Sequence, residues 1–282
     1  MRIGFLGGDE RMLFAAACAA DDGHTVALSC LPQKELPLLP PEKLFSFAQA
    51  LILPLPAMRD GLHISGTALS PAGLTLAPGT KVFGGMLTPA LYAAFPQAYD
   101  YYRAEELLTA NARLTAEGAV ATALRATGRG FYRTDAAVIG YGRIGKCLAA
   151  ILRGFGVPVT VYVRRAAAAR EAEAAGFPVR PMGPAFLADR EATGGHSGPA
   201  TAFTVQEKLI FGTVPAPVFG AMQVPGALHI FDLGGGMKDG VPLAAVPVSE
   251  LRGVPGVFAP AAAGEIIYRV LSPLLRGNAA TS

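Results

Sequence analysis

Ala136-Ala-Val-Ile-Gly140-Tyr-Gly142-Arg-Ile-Gly145 is a short apolar run that breaks into three glycines spaced Gly-x-Gly-x-x-Gly. Ile144, Leu148, Ile151, Leu152 and Phe155 then recur at helical spacing, which predicts a strand, a tight turn and a helix with that buried face. Each glycine has its own reason in such a unit. Gly140 permits the turn, Gly142 lets the backbone approach a pyrophosphate, and Gly145 allows the helix to pack close to the strand. The helix start adds unpaired N–H groups and a partial positive charge, so this segment predicts a dinucleotide site at Gly140, Tyr141, Gly142, Arg143 and Ile144.

The next apolar run, Val157 to Val163, ends where a carboxylate would accept from a ribose 2′-hydroxyl. Here it is followed by Arg164-Arg165. An acid would repel a 2′-phosphate, whereas two guanidiniums pair with one, so Val163, Arg164 and Arg165 predict NADP(H). Thr213-Val214-Pro215, after a later strand, is expected to face the same crevice near the nicotinamide, because ligands of open α/β sheets sit beyond the carboxyl ends of strands.

Outward from this unit the chain begins the same architecture twice. Arg2–Leu6 reads as a strand, Arg11–Ala20 as a helix, and Thr25–Ser29, Ala50–Leu53 and Lys81–Phe83 as further strands. Ala104–Thr127, rich in Ala, Leu, Glu and Arg, reads as a long connecting helix. Beyond the glycine loop, Leu209–Thr213, Leu228–Leu233 and Val254–Phe258 read as buried strands, Thr193–Ala200 as an exposed loop, and Ala261–Leu275 as a final helix packing back on the first domain. The prediction is an α/β protein of two Rossmann-like, doubly wound parallel-sheet domains joined by a long helix: residues 1–106 with 260–282 for the substrate, and 107–259 for NADP.

Composition agrees with covered sheets. Of 282 residues, 51% are hydrophobic and 16% charged, and the mean hydropathy is +0.38. Pro215, Pro217 and Pro225 interrupt the longest uncharged stretch, so no membrane-spanning segment is expected. Asp9, Glu10 and Arg11 cut short the first apolar run before it reaches signal-peptide length, so a cytoplasmic protein is expected. The net charge of +3 is small and scattered, which gives nucleic-acid binding no support. Cys18, Cys30 and Cys147 lie far apart without a Cys-x-x-Cys pair; they read as buried thiols, with no metal site.

Taken together, the motifs resemble the family of the dipicolinate synthase A chain, which is similar in fold to 2-hydroxyacid dehydrogenases and adenosylhomocysteinase. The carriers are Gly7-Gly8-Asp9-Glu-Arg11, Ile52-Leu53-Pro54, Asn111 with Thr115-Ala-Glu117-Gly118, the Val138–Gly145 loop, Asp232-Leu233, and Pro255-Gly256-Val-Phe-Ala259-Pro260-Ala-Ala-Ala-Gly264-Glu-Ile266. The chain departs from the family's Asn-Thr-x-Pro at Gly212-Thr213-Val214-Pro215, and the loop around His196 is longer than expected. The resemblance implies NADP⁺-dependent oxidation of a dihydrodipicolinate-type precursor to pyridine-2,6-dicarboxylate during sporulation. The second, flavoprotein-like chain of dipicolinate synthase is implied as partner; self-association into a homo-oligomer stays open.

For that chemistry Arg11 is a candidate for a substrate carboxylate, with the Gly7 and Gly8 backbone assisting, and Asp9 and Glu117 are candidates for moving a proton. Each has a plainer alternative: Asp9 as a helix cap, Glu117 as a helix-surface acid, Arg11 as a solvated side chain. A 2-hydroxyacid dehydrogenase would need a catalytic His and a substrate Arg. The matching segments, Ala259–Gly264 and Asp232–Gly236, have neither. A non-catalytic NADP(H)-binding protein is the third reading.

Overall fold

The computed structural model describes residues 1–32, 35–127, 130–131, 134–181, 207–211, 228–232, 248–253 and 259–277. The chain divides into two compact units, residues 1–111 with 259–282, and residues 112–258.

The first unit has five parallel strands, β1 (Arg2–Leu6), β2 (Thr25–Ser29), β3 (Ala50–Ile52), β4 (Lys81–Gly84) and β5 (Tyr99–Asp100), in the order β2-β1-β3-β4-β5. Side chains alternate across the pleat, so each strand feeds two cores. Ile3, Phe5, Leu28, Ile52 and Phe83 meet Met12, Ala15 and Ala19 of helix α1 (Glu10–Asp21) on one face. Leu6, Ala27, Leu51, Leu53 and Val82 meet Leu44 and Phe45 of α2 (Pro41–Phe47) and Leu91 of α3 (Pro89–Ala94) on the other.

α4 (Glu105–Thr127) carries residues of both units: Leu107 packs in the α1 core, while Ala116, Ala119, Val120 and Ala123 pack in the second unit. That unit has six parallel strands, β6 (Thr134–Ile139), β7 (Val159–Val163), β8 (Val179–Pro181), β9 (Glu207–Phe211), β10 (Leu228–Asp232) and β11 (Val248–Gly253), in the order β11-β10-β9-β6-β7-β8. α5 (Arg143–Gly154) and α6 (Ala166–Ala174) bury Leu148, Leu152, Ala168 and Ala172 against Val138, Val161 and Val163. The final helix, α7 (Pro260–Leu275), turns Ile267, Leu271 and Leu275 onto α1 in the first unit. Both sheets have the doubly wound α/β architecture expected.

Several local expectations differ. Phe155 is the residue after α5 and not part of its buried face; it is 57% exposed and touches Phe131 edge-on, with ring centroids 5.5 Å apart. Cys30 is exposed, at a left-handed turn (φ 56) ending β2, and Cys18 and Cys147 are half-buried, so the thiols are not a buried set. The last strand lies at Val248–Gly253; the expected Val254–Phe258, the 193–200 loop with His196, Leu233 and Thr213-Val214-Pro215 lie outside the described residues. Among the described residues no helix is long and apolar enough to cross a membrane.

Candidate functional site

In an open parallel sheet, adjacent strands whose connections leave in opposite directions open a crevice at their carboxyl ends. Each unit has such a switch point: between β1 and β3 in the first, and between β6 and β9 in the second.

At the second, β6 runs into Gly140, whose φ of +89 turns the chain and whose N–H donates to the Tyr162 carbonyl at 2.8 Å. α5 begins at once, and a Cβ at Gly145 would stand 2.2 Å from the Gly140 carbonyl oxygen, so only glycine lets the helix lie this close to the turn. Gly142 is the opposite case. A Cβ there would have nothing within 4 Å, and no side chain caps the helix, whose first-turn N–H groups have no partner within the helix itself. This open cradle at a helix N-terminus has the shape and polarity a pyrophosphate needs.

Around it, the Tyr141 ring turns inward and packs against Phe177, with centroids 6.0 Å apart. Burial pushes its hydroxyl pKa up, and Glu171 adds to this. The Tyr141 ring is therefore part of the core, and only its backbone could border a ligand. Ile144 is half-buried and Arg143 exposed. Lys146 lies over the Tyr141 ring at 5.9 Å and is paired with Glu171. β7 ends at the buried Val163, and Arg164 and Arg165 follow it in solvent, with Arg165 the cap residue of α6. Among the described residues, neither guanidinium is engaged in an ion pair, and no carboxylate occupies the end of β7.

At the first switch point β1 runs into Gly7 (φ +65) and Gly8 (φ +100). The Gly7 N–H donates to Ser29 O at 2.9 Å and the Gly8 N–H to Ser65 O at 2.8 Å. Both are committed within the fold, so the backbone assistance expected from these two groups is not on offer. Asp9 caps α1 by accepting from the Arg11 N–H at 3.1 Å. The same carboxylate also takes the Arg11 side chain: Nε donates to Oδ1 at 2.9 Å and Nη2 to Oδ2 at 2.7 Å. Nη2 donates as well to the Leu55 carbonyl, beyond β3, so the guanidinium bridges the crevice. Beneath it the fully buried Tyr101 donates to the Leu53 carbonyl at 2.9 Å.

Burial by itself raises the Asp9 carboxyl, but hydrogen bonds and charge from Arg11, with charge from Arg59, outweigh this and hold it below its ordinary value. Asp9 is therefore an ionised partner of Arg11 at neutral pH, ill-tuned as a base that must pick up a proton there. Arg59, which sequence reasoning missed, stands with Nη2 3.7 Å from Asp9 Oδ2. Glu117 belongs to the other unit, where it accepts from Arg113 Nε at 2.9 Å one helical turn away. Asp9 and Arg11 are thus brought together, and Glu117 is paired with Arg113 on its own helix. Among the described residues no group of three or more His, Cys, Asp or Glu is arranged to hold a metal.

Residues 102–186 match the family described as D-isomer specific 2-hydroxyacid dehydrogenase, NAD binding domain. The match supports a nicotinamide-dinucleotide-binding domain of the dehydrogenase type around the Gly140–Gly145 loop, without separating NAD from NADP. No curated protein matches by sequence. Among solved structures, the A chain of dipicolinate synthase from Bacillus halodurans superposes with a TM-score of 0.75 at 18% identity, covering 97% of each chain. The A chain of dipicolinate synthase from Bacillus subtilis gives 0.71 at 18% identity, covering 100% of this chain and 98% of that one. An L-alanine dehydrogenase gives 0.59 at 14% identity, covering 98% and 89%. The chain therefore has the fold of the dipicolinate synthase A chain, as its motifs lead one to expect.

Proposed function

We propose that this protein is an NADP-dependent oxidoreductase that converts a dihydrodipicolinate-type precursor to pyridine-2,6-dicarboxylate in the cytoplasm of a sporulating cell, working with a flavoprotein-like second chain. The observation that carries the dehydrogenase part is the open cradle at Gly140–Gly145: Gly142 leaves room where a pyrophosphate must approach, at the uncapped start of α5. Arg164 and Arg165, exposed at the end of β7 and without an ion pair among the described residues, support the 2′-phosphate and hence NADP. Thr213, Val214 and Pro215 are proposed to complete the nicotinamide end.

A bound nicotinamide would supply the hydride acceptor. The chain's own contribution is to hold the substrate ring in line with it and to dispose of the proton left behind, with aromatisation of the ring providing much of the driving force. A dicarboxylate needs cationic partners, and the β1/β3 crevice offers an exposed guanidinium at Arg59 beside the Asp9–Arg11 pair. A 2-hydroxyacid dehydrogenase has less support: Ala259–Gly264 provides no imidazole to take a hydroxyl proton.

The test is spectroscopic. Purified protein, with and without the second chain, is given NADP⁺ and the cyclised dihydrodipicolinate precursor, and absorbance is followed at the NADPH band. Growth of that band with formation of pyridine-2,6-dicarboxylate is the expected result; no growth in either condition, with NADPH still bound, would favour a non-catalytic NADP(H)-binding protein.

A further inference from the structure

Asp9, Arg11 and Arg59 bring one negative and two positive charges together at the β1/β3 crevice. The distances decide how these charges are shared. Arg11 takes both oxygens of Asp9 in a forked pair, spends its Nη2 on the Leu55 carbonyl too, and leaves its side chain only 9% exposed. Bidentate guanidinium–carboxylate pairs are the strong form of this contact, so the Asp9 charge is already neutralised. Arg59 stands 3.7 Å from the same Oδ2, beyond hydrogen-bond length, with 64% of its side chain in solvent. These three side chains therefore carry one net positive charge, and its exposed carrier is Arg59.

The surroundings leave few other donors for an anion. The Gly7 and Gly8 N–H groups donate to Ser29 and Ser65, and the Arg11 N–H donates to Asp9. Arg59 follows Leu55 and Ala57, whose backbone is fixed by Arg11 Nη2 and by the Ala57 N–H donating to Gly85 O at 2.7 Å. Its root is thus anchored while its guanidinium lies in solvent, an arrangement suited to meeting a ligand. Two guanidiniums beside one carboxylate repel each other, and an arriving carboxylate relieves that repulsion.

We propose that Arg59 is the side chain of this unit that binds a substrate carboxylate, and that Arg11 is a positioning residue that keeps Asp9 occupied. The assignment rests on the dicarboxylate reading of the site given above. It moves the carboxylate role from the buried arginine to the exposed one.

The experiment is calorimetric titration of the full chain with pyridine-2,6-dicarboxylate, alongside R59Q and R59K, with thermal midpoints and NADPH affinity measured on each. Loss of one charge-assisted contact should weaken the dicarboxylate in R59Q by about ten- to a hundredfold, with midpoint and NADPH affinity unchanged. R59K should lie between, because a point charge replaces a fork. If the unaltered chain binds the dicarboxylate and R59Q binds it equally well, the Arg59 assignment falls and the dicarboxylate reading stands. Weakening accompanied by a lower midpoint would make Arg59 structural and overturn the assignment too. If the unaltered chain neither binds nor forms the dicarboxylate, that reading falls and the assignment with it.

Discussion

Arg11 is locked to Asp9 by two parallel hydrogen bonds, Nε to Oδ1 at 2.9 Å and Nη2 to Oδ2 at 2.7 Å, across the start of α1. Because the guanidinium is buried, the carboxylate is worth most as its counter-charge. Asp9→Asn keeps an oxygen for the helix cap and for Arg11 Nε, and removes the charge together with the second oxygen that accepts from Arg11 Nη2. The expected cost at pH 7 is about 1–3 kcal/mol, read from the urea midpoint.

The pH dependence of that cost follows from the depressed carboxyl. A group whose folded value lies below its unfolded one, 3.8 for Asp9, stabilises the fold fully above 3.8 and loses that contribution as pH falls through the folded value. Midpoints of the unaltered chain and of Asp9→Asn should therefore differ by a constant amount from pH 7 down to about 5 and converge below about pH 4. A gap that persists unchanged to about pH 3 would place the stabilisation elsewhere.

Gly142 and Gly145 are one helical turn apart and should fail in different ways. Gly142→Ala adds a methyl where nothing lies within 4 Å and φ is −84, so the fold has no reason to change. That methyl would stand in the pyrophosphate's path, and NADPH affinity should fall by about tenfold or more with the thermal midpoint intact. Gly145→Ala pushes a methyl to 2.2 Å from a backbone oxygen, so α5 must shift. Stability and affinity should fall together, the former by about 1–3 kcal/mol.

These contrasts show which parts of the site were legible. The glycine loop was readable because everything that defines it is local: a strand, three glycines and a helix in one short stretch. The Asp9–Arg11 pair was not, because the direction of the Arg11 side chain is settled by the Leu55 carbonyl, 44 residues away, and by burial. Arg59 becomes part of a site only once β3 pairs with β1, and strand order is not written in hydrophobic periodicity. Tyr99–Asp100 and Val179–Pro181 are too short to display a two-residue period. Phe155 fits the helical spacing of α5, yet the helix ends one residue earlier and leaves the ring outside.

Arg164 and Arg165 sit in solvent at the end of β7, where a ribose-binding acid is absent. Replacing both with Gln should weaken NADP(H) by about ten- to a hundredfold and change NAD(H) by less than about threefold, because only the former carries a 2′-phosphate. Exposure of both side chains means that stability should be unaffected. Equal losses for the two cofactors, in paired fluorescence titrations, would remove the 2′-phosphate assignment and with it the preference for NADP.

Gly264 links the far end of the chain to the Asp9–Arg11 pair. α7 crosses α1 so closely there that a Cβ would lie 2.5 Å from the Arg11 carbonyl oxygen, 2.5 Å from Phe14 Cβ and 2.9 Å from the Ala15 nitrogen. Two of those three atoms are backbone, so side-chain rotation cannot absorb the methyl and one helix must move. Gly264→Ala should cost about 1–3 kcal/mol. Because the displaced segment begins at Arg11, the forked pair would be disturbed as well, and dicarboxylate affinity should fall even where the protein remains folded. NADPH affinity, which we assign to the glycine loop of the other unit, should hold. A variant with unchanged midpoint would show that α1 and α7 do not pack at Gly264; one that loses NADPH and dicarboxylate alike while folded would show that the two sites are not independent.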